Sequence, residues 1–397
     1  MKKIMVLGGG VYQVPLIEQI KDSGNFAIVV TPDGNYPGID IANLHIDMDT
    51  RDVERVTDKA IELNIDAIVT TGTDVALPLL GKISDTLNLP GPSYESAKCC
   101  TDKVLMKSKL VENRILTANF GVFDTLNDFL GNKKDFGYPI MVKAPDSSGS
   151  RGITKVDSPD NLESAFKDAL EASASKKVIV EEFLEGFEIG AQVVVVNGKV
   201  LDVIVHGDIV TQPPICVPIG HFLPLELEEE LHHKITKLAE ATVVALEIDN
   251  CISNFDIMVV EDNPFIIEVG ARMGATCLPE NVGIYNSMNY YQLLLDISLG
   301  DEINYKPSKK KQANISRLLM SPESGKVASV KFPNAESFID NFTISMDIKP
   351  GDNVKKFVNG TDRIGQVIVH GDTLSECEAL MESILKQIEV KFETNRD

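Results

Sequence analysis

Apolar positions in the first ninety or so residues alternate between two periods. Lys3 to Leu7 is a short, nearly continuous apolar run, as a buried strand requires. Val14, Ile17 and Ile20 then recur at helical spacing. Phe26 to Val30 and Asp66 to Thr70 read as further strands, and Val53, Val56, Ala60 and Leu63 mark a helix between them. Strands alternating with helices predict a parallel sheet covered on both faces. Leu89-Pro90-Gly91-Pro92-Ser93 then breaks the pattern and reads as a domain boundary.

From Ser93 to about Leu130 the spacing predicts helices and turns, with Thr101-Asp102-Lys103 among them. A β-rich stretch follows, Tyr138 to Lys143 and Gly152 to Val156. A helix is expected to open with Ser158 as N-cap and Pro159 at its first position. Lys177 to Phe183 is a strand. Gln192 to Val196 and Lys199 to Val205 flank Asn197-Gly198, a strong type I′ hairpin signal. Glu228 to Leu246 reads as a helix, and Asn254 to Val260 with Phe265 to Val269 as a hairpin around Glu261-Asp262-Asn263. The tail from about Asp301 is mixed α+β and ends in a helix from about Leu374 to Ile388. There is no internal repeat.

Composition narrows the class. The chain has 397 residues, 43% of them hydrophobic and 24% charged, which suits a soluble protein of two or three domains. A formal net charge of -21 repels phosphate backbones and anionic membranes. Lys309-Lys310-Lys311 is the one basic run and reads as a solvated turn. Six cysteines without a C-x-x-C, two of them the adjacent Cys99 and Cys100, read as reduced thiols in a cytoplasmic protein. The apolar run after Met1-Lys2-Lys3 stops at Gly8, too soon for a signal peptide. No stretch is long and apolar enough to cross a bilayer.

The glycine turn Gly8-Gly9-Gly10 invites a dinucleotide-binding reading, which fails because Gln13 stands where a third glycine belongs. Three later clusters carry more. In the first, a strand delivers Lys143 into the loop Ser147, Ser148, Gly149, Ser150, Arg151 and Gly152. Small residues let backbone N–H groups approach phosphate oxygens, and the two cations neutralise charge; a plain hairpin loop fits equally well. In the second, the strand Val178 to Glu181 runs into Glu182, Phe183, Leu184 and Glu188. Its edge could hold a base and a ribose, or it is simply an acidic strand exit. In the third, Asp256 and Glu268 are equidistant from Asp262, so a hairpin centred there sets them face to face. Two carboxylates opposed among apolar residues call for a cation between them, the reading favoured over a register shift that turns one of them to solvent, and Arg272 follows directly.

In order and spacing these clusters resemble the ATP-grasp superfamily, and within it the L-amino acid ligase-like carboxylate–amine ligases of the biotin-carboxylase-like branch. The resemblance covers nearly the whole chain. It implies an α/β plus α+β architecture: an ATP-grasp fold with an N-terminal parallel-sheet pre-ATP-grasp domain over residues 1–93, an ATP-grasp domain over 94–300 with a small β-rich lid at about 113–181, and a C-terminal α+β region over 301–397. It assigns Lys103 and Lys143 to the ATP phosphates, Ser147 to Gly152 to a lid loop, Glu181 with the backbone of Phe183 and Leu184 to adenine, and Glu188 to ribose. Asp256 and Glu268 would bind Mg²⁺, with Mn²⁺ as a substitute, and Arg272 would stabilise the transferred phosphoryl group. The family commonly reads E-x-N where this chain has Glu268-Val269-Gly270, which bears on whether a second Mg²⁺ binds.

The resemblance implies activation of a carboxylate as an acyl phosphate, releasing ADP, followed by attack of an amine. Small-molecule carboxylate and amine substrates are the expected partners, with no nucleic acid or membrane, and a homodimer is the expected assembly. A bicarbonate-activating carboxylase and a silent nucleotide-binding module are the rival readings. No competing site emerges from the sequence: His45, His206, His221, His232, His233 and His370 show no metal-ligand spacing, and there is no G-x-S-x-G. His206 reads as a satisfied core or rim histidine.

Overall fold

The computed structural model describes residues 1–132, 136–147, 151–211, 217–333 and 341–393. They divide into two compact units. One comprises Met1–Ile204, Leu227–Gly274 and Tyr291–Asn304; the other comprises Val205–Glu226, Ala275–Tyr290 and Tyr305–Asp397.

The first unit opens on a parallel sheet in the order Leu44–Asp47, Phe26–Thr31, Lys3–Leu7, Ala67–Val69. Its central strand is buried from Ile4 to Leu7, because helices Val14–Asp22, Val53–Leu63 and Leu77–Leu87 accompany the strands. Local chemistry sets the helix ends. The Asp52 side chain accepts from Arg55 N at one start, and Asn64 turns left-handed (φ 52°) at the same helix's end. The periodicity misses Leu44–Asp47, a four-residue strand, and Leu77–Leu87, whose buried Leu77, Leu79, Leu80, Gly81, Ile83 and Ser84 blur any stripe. In the glycine turn, Gln13 Oε1 accepts from Gly10 N at 2.8 Å, and a Cβ on Gly8 would lie 3.1 Å from it. The glutamine side chain therefore packs over Gly8 and Gly10 and fills the turn.

A small antiparallel sheet follows in the order Phe120–Phe123, Val178–Glu182, Ile140–Lys143, Ile153–Val156. Helices Leu126–Asn132 and Leu162–Ala172 close over it around Phe123, Phe129, Val142, Phe166 and Val180. The segment from Ser93 to about Leu130 therefore contains a strand as well as helices. Ser158 has extended N-cap backbone, but its hydroxyl donates to Asp160 Oδ2 at 3.2 Å instead of capping. The chain makes a 3₁₀ turn at Pro159–Asn161 before the α-helix begins at Leu162, as proline in a first turn allows.

Two hairpins complete the sheet work of this unit. Phe187–Val196 turns at Asn197-Gly198 (φ 50° and 70°), the positive pair that a type I′ turn needs. Cys251–Val260 turns at Glu261-Asp262 (φ 47° and 60°) into Asn263–Gly270, with helix Glu229–Ala245 packed against the second strand.

The second unit has the antiparallel order Pro218–Leu223, Ala313–Met320, Arg363–Gly371, Phe342–Met346, with the end of Lys199–Val210 alongside Pro218–Leu223. Helix Leu374–Leu385 starts at a capping box, Thr373 with Glu376, and buries Cys377, Met381 and Ile384 on Val367 and Val369. Among the described residues, Cys99, Cys100, Cys251, Cys277 and Cys377 are free thiols. Burial pushes the Cys377 thiol up to about 11, which keeps it protonated.

Candidate active site

Helix Lys103–Glu112 organises the site. Asp102 caps it, accepting from Val104 N at 2.8 Å and Leu105 N at 3.1 Å. The buried face contains Lys103, Met106, Lys107 and Leu110, so two lysines one helical turn apart point inward. Each meets a carboxylate. Lys103 Nζ lies 3.0 Å from Glu268 Oε1 and donates to Ser147 O at 3.0 Å. Lys107, fully buried, lies 3.3 Å from Glu181 Oε2 and donates to Thr117 Oγ1 at 2.7 Å. Thr117 passes the chain on to Ile266 O at 2.8 Å. One helix turn thus serves the two carboxylates given different roles by the sequence.

Strand Ile140–Lys143 brings Lys143 to the same place, with its Nζ 2.9 Å from Glu181 Oε2. Glu181 is 1% exposed, and two ammonium groups crowd one of its oxygens. Burial opposes its charge, but Lys143 and Lys107 outweigh that and hold the carboxyl below its usual value. Burial pulls Lys107 down despite Glu181. The other oxygen, Glu181 Oε1, is buried with no hydrogen-bond partner among the described residues. Leaving it so costs about 1–3 kcal/mol, a debt a bound N–H donor would cancel.

Asp256 and Glu268 stand directly opposite each other on paired strands. The turn has two residues and its symmetry alone would set Asp256 against Ile267. A bulge between Asp256 and Ile257 supplies the one-residue shift that puts Glu268 there. Asn254 pairs with Gly270 on the same face and donates to Asp256 Oδ1 at 3.0 Å. Burial opposes the charge on Lys103, but Glu268 raises its pKa overall. The oxygen-rich pair of carboxylates, both on one face and neither fully buried, fits a hard divalent cation.

Arg272 follows the second strand. Its Nε donates to Asp74 Oδ1 at 2.8 Å and its Nη2 to Asp74 Oδ2 at 2.9 Å, a bidentate pair that sequence reading did not find. Burial works against the guanidinium, yet Asp74, with Asp256 and Glu268, holds it above the usual arginine value. Gly270 makes room for this pair, since a Cβ there would lie 3.2 Å from Asp74 Oδ1. The family's asparagine would press on the ion pair.

The structure thus brings together Lys103, Lys143, Glu181, Asp256, Glu268 and Arg272 with Ser147 and adds Lys107 and Asp74. Phe183 and Leu184 follow the end of strand Val178–Glu182, where Lys155 Nζ lies 4.3 Å from the centre of the Phe183 ring. Glu188 and Arg151 are exposed, and Gly152 is left-handed (φ 66°) against Ala172. Ser148, Gly149 and Ser150 lie outside the described residues. Lys107 left no sequence signal beyond its i, i+4 spacing from Lys103.

Residues 124–279 match the D-ala D-ala ligase C-terminus family, and residues 317–393 match the L-amino acid ligase C-terminal domain 2 family. A crystal structure of phosphoribosylglycinamide synthetase from Anaerococcus prevotii superposes with a TM-score of 0.85 at 29% identity, covering 99% of this chain and 100% of that one. The chain has the ATP-grasp fold. The L-amino acid ligase from Bacillus licheniformis shares the ATP-grasp fold, with a TM-score of 0.82 at 19% identity over 99% of both chains. D-alanine–D-alanine ligase A of Clostridium perfringens is 26% identical over 208 residues, 48% of this chain and 64% of that protein. Alanine–anticapsin ligase of Bacillus subtilis is 24% identical over 269 residues, 62% of this chain and 56% of that protein. The match therefore spans less than two thirds of either ligase. These homologues represent the ATP-dependent carboxylate–amine ligases of the superfamily. No described helix is long and apolar enough to cross a membrane.

Proposed function

We propose that this ATP-grasp protein is a ligase that phosphorylates a small carboxylate with ATP and passes the acyl group to an amine, forming an amide or peptide-like bond. The observation that carries this reading is Glu181. Two buried ammonium groups fix one of its oxygens, and the other is buried and unpartnered, as the acceptor for a 6-amino group must be. Lys103 and Lys143 neutralise phosphate charge, the backbone of Phe183 and Leu184 flanks the base, and Glu188 takes ribose hydroxyls. Asp256 and Glu268 would hold Mg²⁺, which supplies charge neutralisation at the phosphates when bound. Arg272 acts on the transferred phosphoryl group. Segment 113–181 serves as the lid, with Ser147 to Gly152 as its phosphate-covering loop. A cytoplasmic homodimer acting on small molecules completes the proposal.

The direct test incubates the protein with MgATP, a panel of carboxylic acids and hydroxylamine. ADP, phosphate and a hydroxamate are expected. AMP and pyrophosphate as main products, or no turnover with any acid, would overturn the reading.

Lys107 gives a second, sharper expectation. It reaches the base only through Glu181, so Lys107→Met should loosen that carboxylate and leave the phosphate-binding groups in place. The kcat/KM ratio of ATP over ITP should fall about tenfold, because a 6-oxo base cannot donate to Glu181 Oε1. An unchanged ratio in a folded variant would show that Lys107 is packing alone.

A further inference from the structure

A second polar cluster lies in the other unit. His206 and Asp208 are two residues apart on strand Lys199–Val210 and share one face, and Asp208 pairs directly with His221. His206 Nδ1 lies 2.9 Å and His221 Nδ1 2.6 Å from the same oxygen, Asp208 Oδ1. The rings meet edge to face with centroids 5.2 Å apart. Both histidines are buried, and the Asp208 side chain is 13% exposed.

Burial opposes the charge on Asp208, but the two imidazoles hold its carboxyl far below the usual range, so it is ionised. Burial pulls the His221 imidazole down despite that carboxylate. An ionised carboxylate only accepts, so both Nδ1 atoms donate. The tautomer is then fixed, and in the neutral ring Nε2 is a bare lone pair. His206 Nε2 is buried and has no partner among the described residues.

Two further acceptors lack a partner, the first of them on a side chain that is partly exposed. Asp208 Oδ2 has no hydrogen-bond partner among the described residues, since both imidazoles use Oδ1, and no lysine or arginine pairs with the carboxylate there. Asn281, on helix Leu278–Asn286, donates through Nδ2 to Asn314 Oδ1 at 2.7 Å and to His221 O at 3.3 Å, which fixes the orientation of its amide. Its Oδ1 is buried without a partner. Asn314 pairs with Leu223, two residues beyond His221, so Asn281 covers the face that carries the cluster. Among the described residues the group therefore holds unanswered acceptors and no unanswered donor.

That imbalance selects the ligand. A zinc ion with bonds of about 2.0–2.1 Å spreads its ligand atoms to about 3.3 Å apart. The 2.6 and 2.9 Å separations here are hydrogen-bond lengths. A primary ammonium group has three N–H donors, no acceptor and a positive charge, which matches a carboxylate without a cation beside it. We infer that Asp208, oriented by His206 and His221 and assisted by Asn281, binds the ammonium group of an amine substrate. The inference rests on the ligase reading and names the recognition chemistry of its second substrate.

The experiment compares two nucleophiles on one activated acid. Wild-type protein is screened with MgATP and pairs of the twenty common L-amino acids for phosphate release, and the active acid is then run with hydroxylamine, which is uncharged at neutral pH. Asp208→Asn keeps the shape and removes the charge. It should raise KM for the amino-acid nucleophile by at least about tenfold and leave hydroxamate formation unchanged. If Asp208→Asn does not fold, the wild type still decides: the hydroxy-acid analogue of the amine substrate should not compete with it. Competition by that analogue, an unaltered amine KM in Asp208→Asn, or equal loss of amide and hydroxamate would each overturn the ammonium site. Stoichiometric zinc, retained after dialysis by wild type and lost in the variant, would replace it with a metal site. If wild type makes neither amide nor hydroxamate, the ligase reading itself fails, and this inference falls with it.

Discussion

Glu268→Gln is expected to leave the protein folded and reduce phosphate release by about 10²–10³-fold, the usual cost of losing one charged group aimed at a reacting phosphoryl centre. The fold should tolerate the change because the Glu268 side chain is 34% exposed and its ion pair with Lys103 is only partly shielded. Such a pair contributes about 1 kcal/mol or less. The chemical loss arises differently. The amide in that variant would keep one oxygen for a cation and lose the charge that holds both the cation and Lys103. Lys103 would then retain Ser147 O as its partner and drift from the position the phosphates need. Thermal unfolding and steady-state phosphate release on the same sample separate the two effects. Wild-type turnover in Glu268→Gln, or a collapse of Tm with proportionate loss of activity, would show this hairpin to be structural.

The hairpin also shows how far a sequence can be read. The opposition of Asp256 and Glu268 follows from counting outward from Asp262, and the pair does stand face to face. The count works through a two-residue turn plus a bulge, a combination that leaves no mark in the pattern of apolar residues. The parallel sheet, the Asn197-Gly198 hairpin and the long helix Glu229–Ala245 were legible because each has a strong local signal. Lys107 was not, because a lysine in a helix is expected on the solvated face and its burial depends on Glu181, far along the chain. Asp74 was hidden for the same reason: its partner, Arg272, is 198 residues away. His206 and His221 lack any ligand motif, and it is the register of two strands that gathers them around Asp208.

Arg272→Lys is the other large effect expected, and Asp74 makes it a stringent test. The guanidinium commits Nε and Nη2 to Asp74, while Nη1 makes a long 3.4 Å contact with Met273 O. Nη1 is thus the donor least engaged and the one available to a phosphoryl oxygen. A lysine ammonium is a point charge and cannot hold both carboxylate oxygens and still project a separate donor at a fixed angle. The variant should lose about 1–2 kcal/mol of stability from the weakened pair, which is 13% exposed on the arginine side. It should still bind ATP, because Lys103, Lys143 and Glu181 are untouched. Hydroxamate formation should drop by about 10²-fold, as expected when a charge aimed at a developing anion is lost. Asp74→Asn makes the complementary measurement. It leaves Arg272 in place and removes the carboxylate that orients it, so binding of ATP should persist while hydroxamate formation falls by a smaller factor. If Arg272→Lys forms hydroxamate at the wild-type rate while Asp74→Asn only lowers Tm, the Arg272–Asp74 pair is a structural clasp, and the phosphoryl group must be stabilised by other residues.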